Sequence, residues 1–81
     1  MFFGIMVRMY FDDHGPAHFH AYYGDDMIVI EIETLRIVVG QFPRRAQAMV
    51  LEWASQHREE LLEDWRLASA HEPLKKILPL E

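Results

Sequence analysis

The apolar residues of this chain change their spacing once, near Gly40, and that change limits what the chain can become. Before it, apolar side chains recur at every second position, the spacing that lines one face of a strand. From Pro43 to about Ala70 they recur three and four positions apart, the spacing that lines one face of a helix. Strands followed by helices, instead of alternating with them, indicate an α+β fold and not a parallel βαβ fold. A chain of 81 residues has room for one domain, here residues 1–81. The expected architecture is an antiparallel meander of three to four strands over about residues 2–39. One long kinked helix, or two helices, over about residues 43–70 packs on one face of it, and an extended C-terminal tail follows.

The strands can be read residue by residue. In the first, Phe3, Ile5, Val7, Met9 and Phe11 point one way, and Met6, Arg8 and Tyr10 the other. Asp12-Asp13-His14-Gly15-Pro16 has turn chemistry. In the second, His18 to Tyr23, the residues Phe19, Ala21 and Tyr23 oppose His18, His20 and Tyr22. Gly24-Asp25-Asp26 is a hairpin signal. The third sends Ile28, Ile30 and Ile32 to one side, and Met27, Val29, Glu31 and Glu33 to the other. Leu35 to Val39 forms the fourth. The sheet therefore has one apolar face and one mixed face.

The helical part starts near Pro43, with the stripe Ala46, Met49, Val50, Trp53, Ala54 and His57. The stripe then rotates to Leu61, Leu62, Trp65 and Ala68, which implies a break near Ser55-Gln56-His57. Trp53 and Trp65 read as core residues, His57 as a hydrogen-bonded kink residue, and Glu59, Glu60, Glu63 and Asp64 as a solvated acidic face. Pro73 ends the helix.

Composition removes several functions. The absence of cysteine excludes disulfides, thiolate zinc sites and a cysteine nucleophile. A formal charge of −5 disfavours a uniformly basic nucleic-acid binder but leaves room for a local basic patch. Arg44-Arg45 and Lys75-Lys76 are each too short to be such a signal alone. No Gly-rich phosphate loop is present, and Ser55 and Ser69 lack a nucleophile's context. The chain has no stretch of roughly 18 apolar residues to span a membrane and no signal-peptide pattern at Met1, so a soluble, cytoplasmic protein is expected.

Chemistry concentrates where His14, His18 and His20 fall within seven residues, beside Asp12 and Asp13. Two residues apart on one strand, His18 and His20 share a face. That is the mixed face; Tyr22 of the same strand shares it, and the neighbouring strands add Arg8, Tyr10 and Glu31. Three readings follow. His14, His18, His20 and Asp13 can hold a divalent transition metal through neutral imidazole and carboxylate ligands. Alternatively, His18 and His20, with Arg8 and Tyr10 beside them, can serve metal-free phosphodiester cleavage, histidine as base or acid and Arg8 stabilising developing charge. In the third reading His18 and His20 are ordinary surface or turn-anchoring residues, bonded to the Asp12-Asp13 loop, and do no chemistry.

Phe3-Gly4-Ile5, Asp13-His14-Gly15-Pro16-Ala17-His18-Phe19-His20-Ala21, Leu51-Glu52-Trp53, His57-Arg58-Glu59-Glu60-Leu61 and Trp65 occur in that order. Together they resemble a family of small prokaryotic proteins, the domain of unknown function four-one-six-zero. Its signature is similar to H-x-P-P-H-F-H-A, followed by E-W, H-x-x-E-L and W. Ala17 departs from it by replacing a second proline, and a few residues before Phe3-Gly4 are lacking. The resemblance implies a stand-alone domain of no established activity, commonly encoded beside another small domain in an arrangement like a toxin–antitoxin pair. It implies a small protein from a neighbouring gene as partner. A homo-oligomer is also expected, because a domain this small gains stability from a second copy. RNA is a candidate substrate. Three functions are thus weighed: a toxin–antitoxin-type interaction module, with or without RNA cleavage; a histidine-based divalent-metal domain; and a protein-binding scaffold without chemistry.

Overall fold

A computed structural model describes residues 3–10, 14–75 and 77. It contains strands β1 (Ile5–Arg8), β2 (His18–Tyr23), β3 (Asp26–Glu31) and β4 (Ile37–Val39), then helices α1 (Arg44–Gln56) and α2 (Arg58–Ser69). The strands form one antiparallel meander in the order β1-β2-β3-β4. The α+β expectation holds, and the helical region is two helices.

Alternation decides which face is buried. Ile5, Phe19, Ala21, Ile28, Ile30 and Ile32 are fully buried. Against them α1 lays Ala46, Val50, Trp53 and Ala54, one helical stripe. Phe19 of β2 meets Trp53 edge to face, with ring centroids 6.0 Å apart. Such a contact adds about 0.5–1.5 kcal/mol to the burial of the two rings. The β2–β3 hairpin closes through Gly24-Asp25, with Gly24 at φ 59 and a pairing of Tyr23 with Asp26. A positive φ at the first of two loop residues fits the type II′ turn, where glycine carries no Cβ penalty.

Two expectations at the first strand are corrected. Phe3 was expected on the apolar face, yet it is 56% exposed, because the chain turns at Phe3 (φ 48) and Gly4 (φ 80) before pairing begins. The strand also ends at Arg8; Phe11, Asp12 and Asp13 lie outside the described residues. Tyr23 is exposed at the hairpin end and rests against Phe42, at a ring separation of 6.0 Å.

The helix break falls at His57, whose φ of −123 is not helical. His57 Nδ1 lies 2.6 Å from Glu60 Oε1, so the residue that interrupts α1 also ties down the first turn of α2. The ring of His57 packs on Trp53 at 5.6 Å. The next residue fixes where α2 goes: Arg58 Nε donates to the Ile32 carbonyl at 3.2 Å. That bond holds the start of α2 to the end of the third strand's segment, a link between residues distant in sequence.

Asp64 corrects the acidic-face expectation. It is 5% exposed and lies on the buried stripe of α2 with Leu61 and Ala68. Its Oδ1 accepts the Lys75 backbone N–H at 2.8 Å, which clasps the tail onto α2. Glu63 stays outside and pairs with Arg66 and Lys75. Beyond Pro73, the described residues Leu74, Lys75 and Ile77 lie outside any helix, as expected, and Ile77 packs on the core. Lys76, Leu78 and Leu80 lie outside the described residues.

Burial raises the Asp64 carboxyl above its ordinary 3.8; the charge of Glu60 adds to this, while the Lys75 N–H and the Lys75 charge oppose it. A raised acid pKa means the folded state holds its proton more tightly than the unfolded state. The resulting stability is complete below about 3.8 and is lost as pH rises through the folded-state value. Asp64→Asn keeps an acceptor for Lys75 and removes the titration. The variant should melt above the native protein at neutral pH, with the gap closing as pH falls toward the unfolded pKa. Thermal melts across that range would contradict this if the variant were least stable relative to native at neutral pH.

Candidate functional site

The site is the face of the sheet that α1 does not cover. The pairing sets Arg8 opposite His20, Met6 opposite Tyr22, His20 opposite Val29 and His18 opposite Glu31. These side chains share the outer face because their neighbours Val7, Phe19, Ala21, Ile28 and Ile30 take the inner one. The mixed face expected from alternation is therefore assembled, with Arg8, His18, His20, Tyr22 and Glu31 on it.

Ring contacts organise this face. The His18 and His20 rings are 5.4 Å apart between centroids. Tyr10, just past the end of β1, sets its ring edge-on to His20 at 4.8 Å and 89°. The hydroxyls of Tyr10 and Tyr22 are hydrogen-bonded at 2.6 Å. On the far side, Trp65 of α2 lies 4.9 Å from His18. Trp65, His18, His20 and Tyr10 thus form one run of rings, and the tyrosine hydroxyl pair joins Tyr22 to its end. The expectation of a face wholly opposite the helices is corrected here, because α2 delivers Trp65 to it.

The tautomer of His18 follows from one bond. Its Nδ1 lies 2.8 Å from the Pro16 carbonyl oxygen. A carbonyl accepts only, so Nδ1 carries the hydrogen, and the neutral ring has its lone pair on Nε2. His18 is bonded to the turn before β2 at Pro16, whereas the expected partners Asp12 and Asp13 lie outside the described residues. Nδ1 of His20 is sealed from solvent beneath the ring row. Arg8 is exposed, and its Nε lies 3.2 Å from Met6 Sδ, a weak acceptor that leaves the guanidinium available to an anion. Glu31 is half-buried, and its Oε1 accepts from the Thr34 hydroxyl at 2.9 Å.

Of the residues expected to carry chemistry, Arg8, Tyr10, His18 and His20 meet on this face. His14 is exposed in the loop before β2, and Asp13 lies outside the described residues. Among the described residues, no group of three or more His, Asp or Glu side chains is arranged to hold a metal ion. Trp65 packs against the core, as expected, and is half-buried; its added place beside His18 depends on the break at His57 and the Arg58–Ile32 bond. The rotation of the apolar stripe after His57 was the one signal that α2 departs from the line of α1. A concavity lined by Ser55 to Glu60 at the helix break shares no residue with this face.

These features define a small two-layer α+β domain with an open, histidine- and aromatic-lined sheet face. The profile of one family, the domain of unknown function DUF4160, matches residues 4–66. The chain belongs to that family. The matched span includes every strand and reaches Trp65, so the whole ring row falls within it. No curated protein and no solved structure matches the chain. No helix of the described residues is long and apolar enough to cross a membrane.

Proposed function

We propose that this chain is the RNA-acting half of a toxin–antitoxin-type module, and that the open sheet face performs metal-free cleavage of RNA. The observation that carries the reading is the pairing of His18, its proton fixed on Nδ1 by Pro16, with His20 at 5.4 Å and Arg8 opposite His20 in register. Two imidazoles and a guanidinium can supply the base, the acid and the charge stabilisation that help phosphodiester transfer to an internal hydroxyl.

His18 Nε2 takes the proton of a ribose 2′-hydroxyl as that oxygen attacks phosphorus. The bond from phosphorus to the 5′-oxygen breaks, and protonated His20 gives its proton to the departing oxygen. The products are a 2′,3′-cyclic phosphate and a 5′-hydroxyl. Arg8 faces the charge that builds on the non-bridging oxygens. Tyr10 orients His20 through the edge contact at 4.8 Å and is itself held by Tyr22. A small partner protein that covers the same face would silence the activity.

Expression of the native chain from a tightly controlled promoter tests this reading in cells. Native protein should arrest growth and degrade RNA. The His18→Ala, His20→Ala double variant, at equal level and folded, should do neither. Equal arrest by the double variant would remove the histidines from the mechanism. Normal growth with well-folded native protein would overturn a free-standing toxin.

A further inference from the structure

We propose that the substrate is single-stranded RNA, laid across the ring row with a base stacked on Trp65 at one end and on Tyr10 at the other. This rests on the RNA-acting reading above and goes beyond it by naming the strand form and the residues that select it.

Three observations support it. First, the rings of Trp65, His18, His20 and Tyr10 follow one another at 4.9, 5.4 and 4.8 Å, so the histidines lie between two aromatic residues along one path. A strand crossing that path sets a phosphate over the histidines when the flanking bases stack on Trp65 and Tyr10. Stacking of this kind needs bases that are unpaired and splayed, because a duplex hides their faces. Second, Tyr10 is 41% exposed, so its ring has surface to offer. Trp65 is half-buried, which holds the indole in place while part of it stays accessible. Third, the charge on the face is sparse and balanced: Arg8 is exposed there, and the carboxylate of Glu31, which accepts from Thr34, keeps its negative charge. The chain as a whole is acidic at −5, so stacking must carry most of the affinity and phosphate contacts little.

That balance gives a quantitative expectation. One phosphate contact at Arg8 predicts a slope near −0.7 for log affinity against log salt, whereas a groove tracking six phosphates would give roughly −4.

The probe is a short 2′-O-methyl oligo(A), which has no 2′-hydroxyl to attack and so reports binding without cleavage. In a Trp53→Phe background Trp65 is the one remaining tryptophan. Its emission should be quenched by the single strand and unaffected by the same oligonucleotide annealed to its complement. Trp65→Ala should weaken binding about 10-fold, followed by anisotropy of a labelled probe. Tyr10→Ala tests the other end without touching α2 and should act similarly, so a folding defect at Trp65 does not decide the matter. Equal binding of duplex and single strand, a steep salt slope, or full affinity in both variants would overturn the proposal. Cleavage of RNA with full affinity in both variants overturns this inference and leaves the catalytic reading standing. Binding through Trp65 and Tyr10 without any cleavage supports the inference and overturns the catalytic reading.

Discussion

A Gly40→Ala substitution is expected to lower the melting temperature by roughly 8 to 40 °C. Gly40 has φ 77 and follows β4 directly. A Cβ there would overlap the backbone carbonyl oxygen of Met27, an atom held in the β2–β3–β4 ladder. The left-handed conformation costs a side-chain-bearing residue about 1–2 kcal/mol. Overlap with fixed backbone adds about 1–3 kcal/mol. Each kcal/mol moves the melting temperature of a domain this size by about 4–8 °C. Gly24→Ala separates the two costs. Gly24 also has a positive φ of 59, but no atom lies within 4 Å of its Cβ position. It should lose the conformational part alone, about 1–2 kcal/mol. Calorimetry showing Gly40→Ala no less stable than Gly24→Ala would refute the packing of β4 against Met27.

Loss of either histidine is expected to lower RNA cleavage by about 10²- to 10⁴-fold while the domain stays folded. His18→Ala removes the base and leaves the Pro16 carbonyl without its donor. His20→Ala removes the acid and the ring that Tyr10 packs on. The two act on one step, so the double variant should fall little further than the worse single variant. Tyr22→Phe takes one hydroxyl from the Tyr10–Tyr22 pair and leaves both rings, so its effect should be smaller. Single-turnover rates of the purified variants, with melting curves for each, check this. Rates within a few-fold of native in both single variants would exclude acid–base catalysis by this pair.

Much of this site was legible before any coordinates. Period-two alternation assigns Phe19 and Ala21 to the core, and that alone forces His18, His20 and Tyr22 outward together. Arg8 joins them because β1 and β2 are antiparallel neighbours separated by a short, turn-rich loop. What the alphabet hides is anything set by the backbone or by distant partners. Asp64 looks like one more surface acid; the group that buries it is a backbone N–H, which leaves no mark in a sequence. Trp65 reads as core because helical spacing says where a residue sits on its own helix. It does not say where that helix is aimed after a break. The aim of α2 is fixed by Arg58 bonding to Ile32, residues whose meeting no local pattern announces. Phe3 fails for a different reason: alternation was extended through Gly4, where positive φ values reverse the chain.

The central claim is that the open sheet face of this DUF4160 domain cleaves single-stranded RNA through His18 and His20 without a metal. The most direct measurement is incubation of the untagged native chain with a defined single-stranded RNA in excess EDTA, with the new ends identified by mass spectrometry. The account predicts fragments ending in a 2′,3′-cyclic phosphate and beginning with a 5′-hydroxyl, absent from the His18→Ala, His20→Ala reaction. Intact RNA, cleavage that requires added metal, or fragments carrying a 3′-hydroxyl and a 5′-phosphate would contradict it.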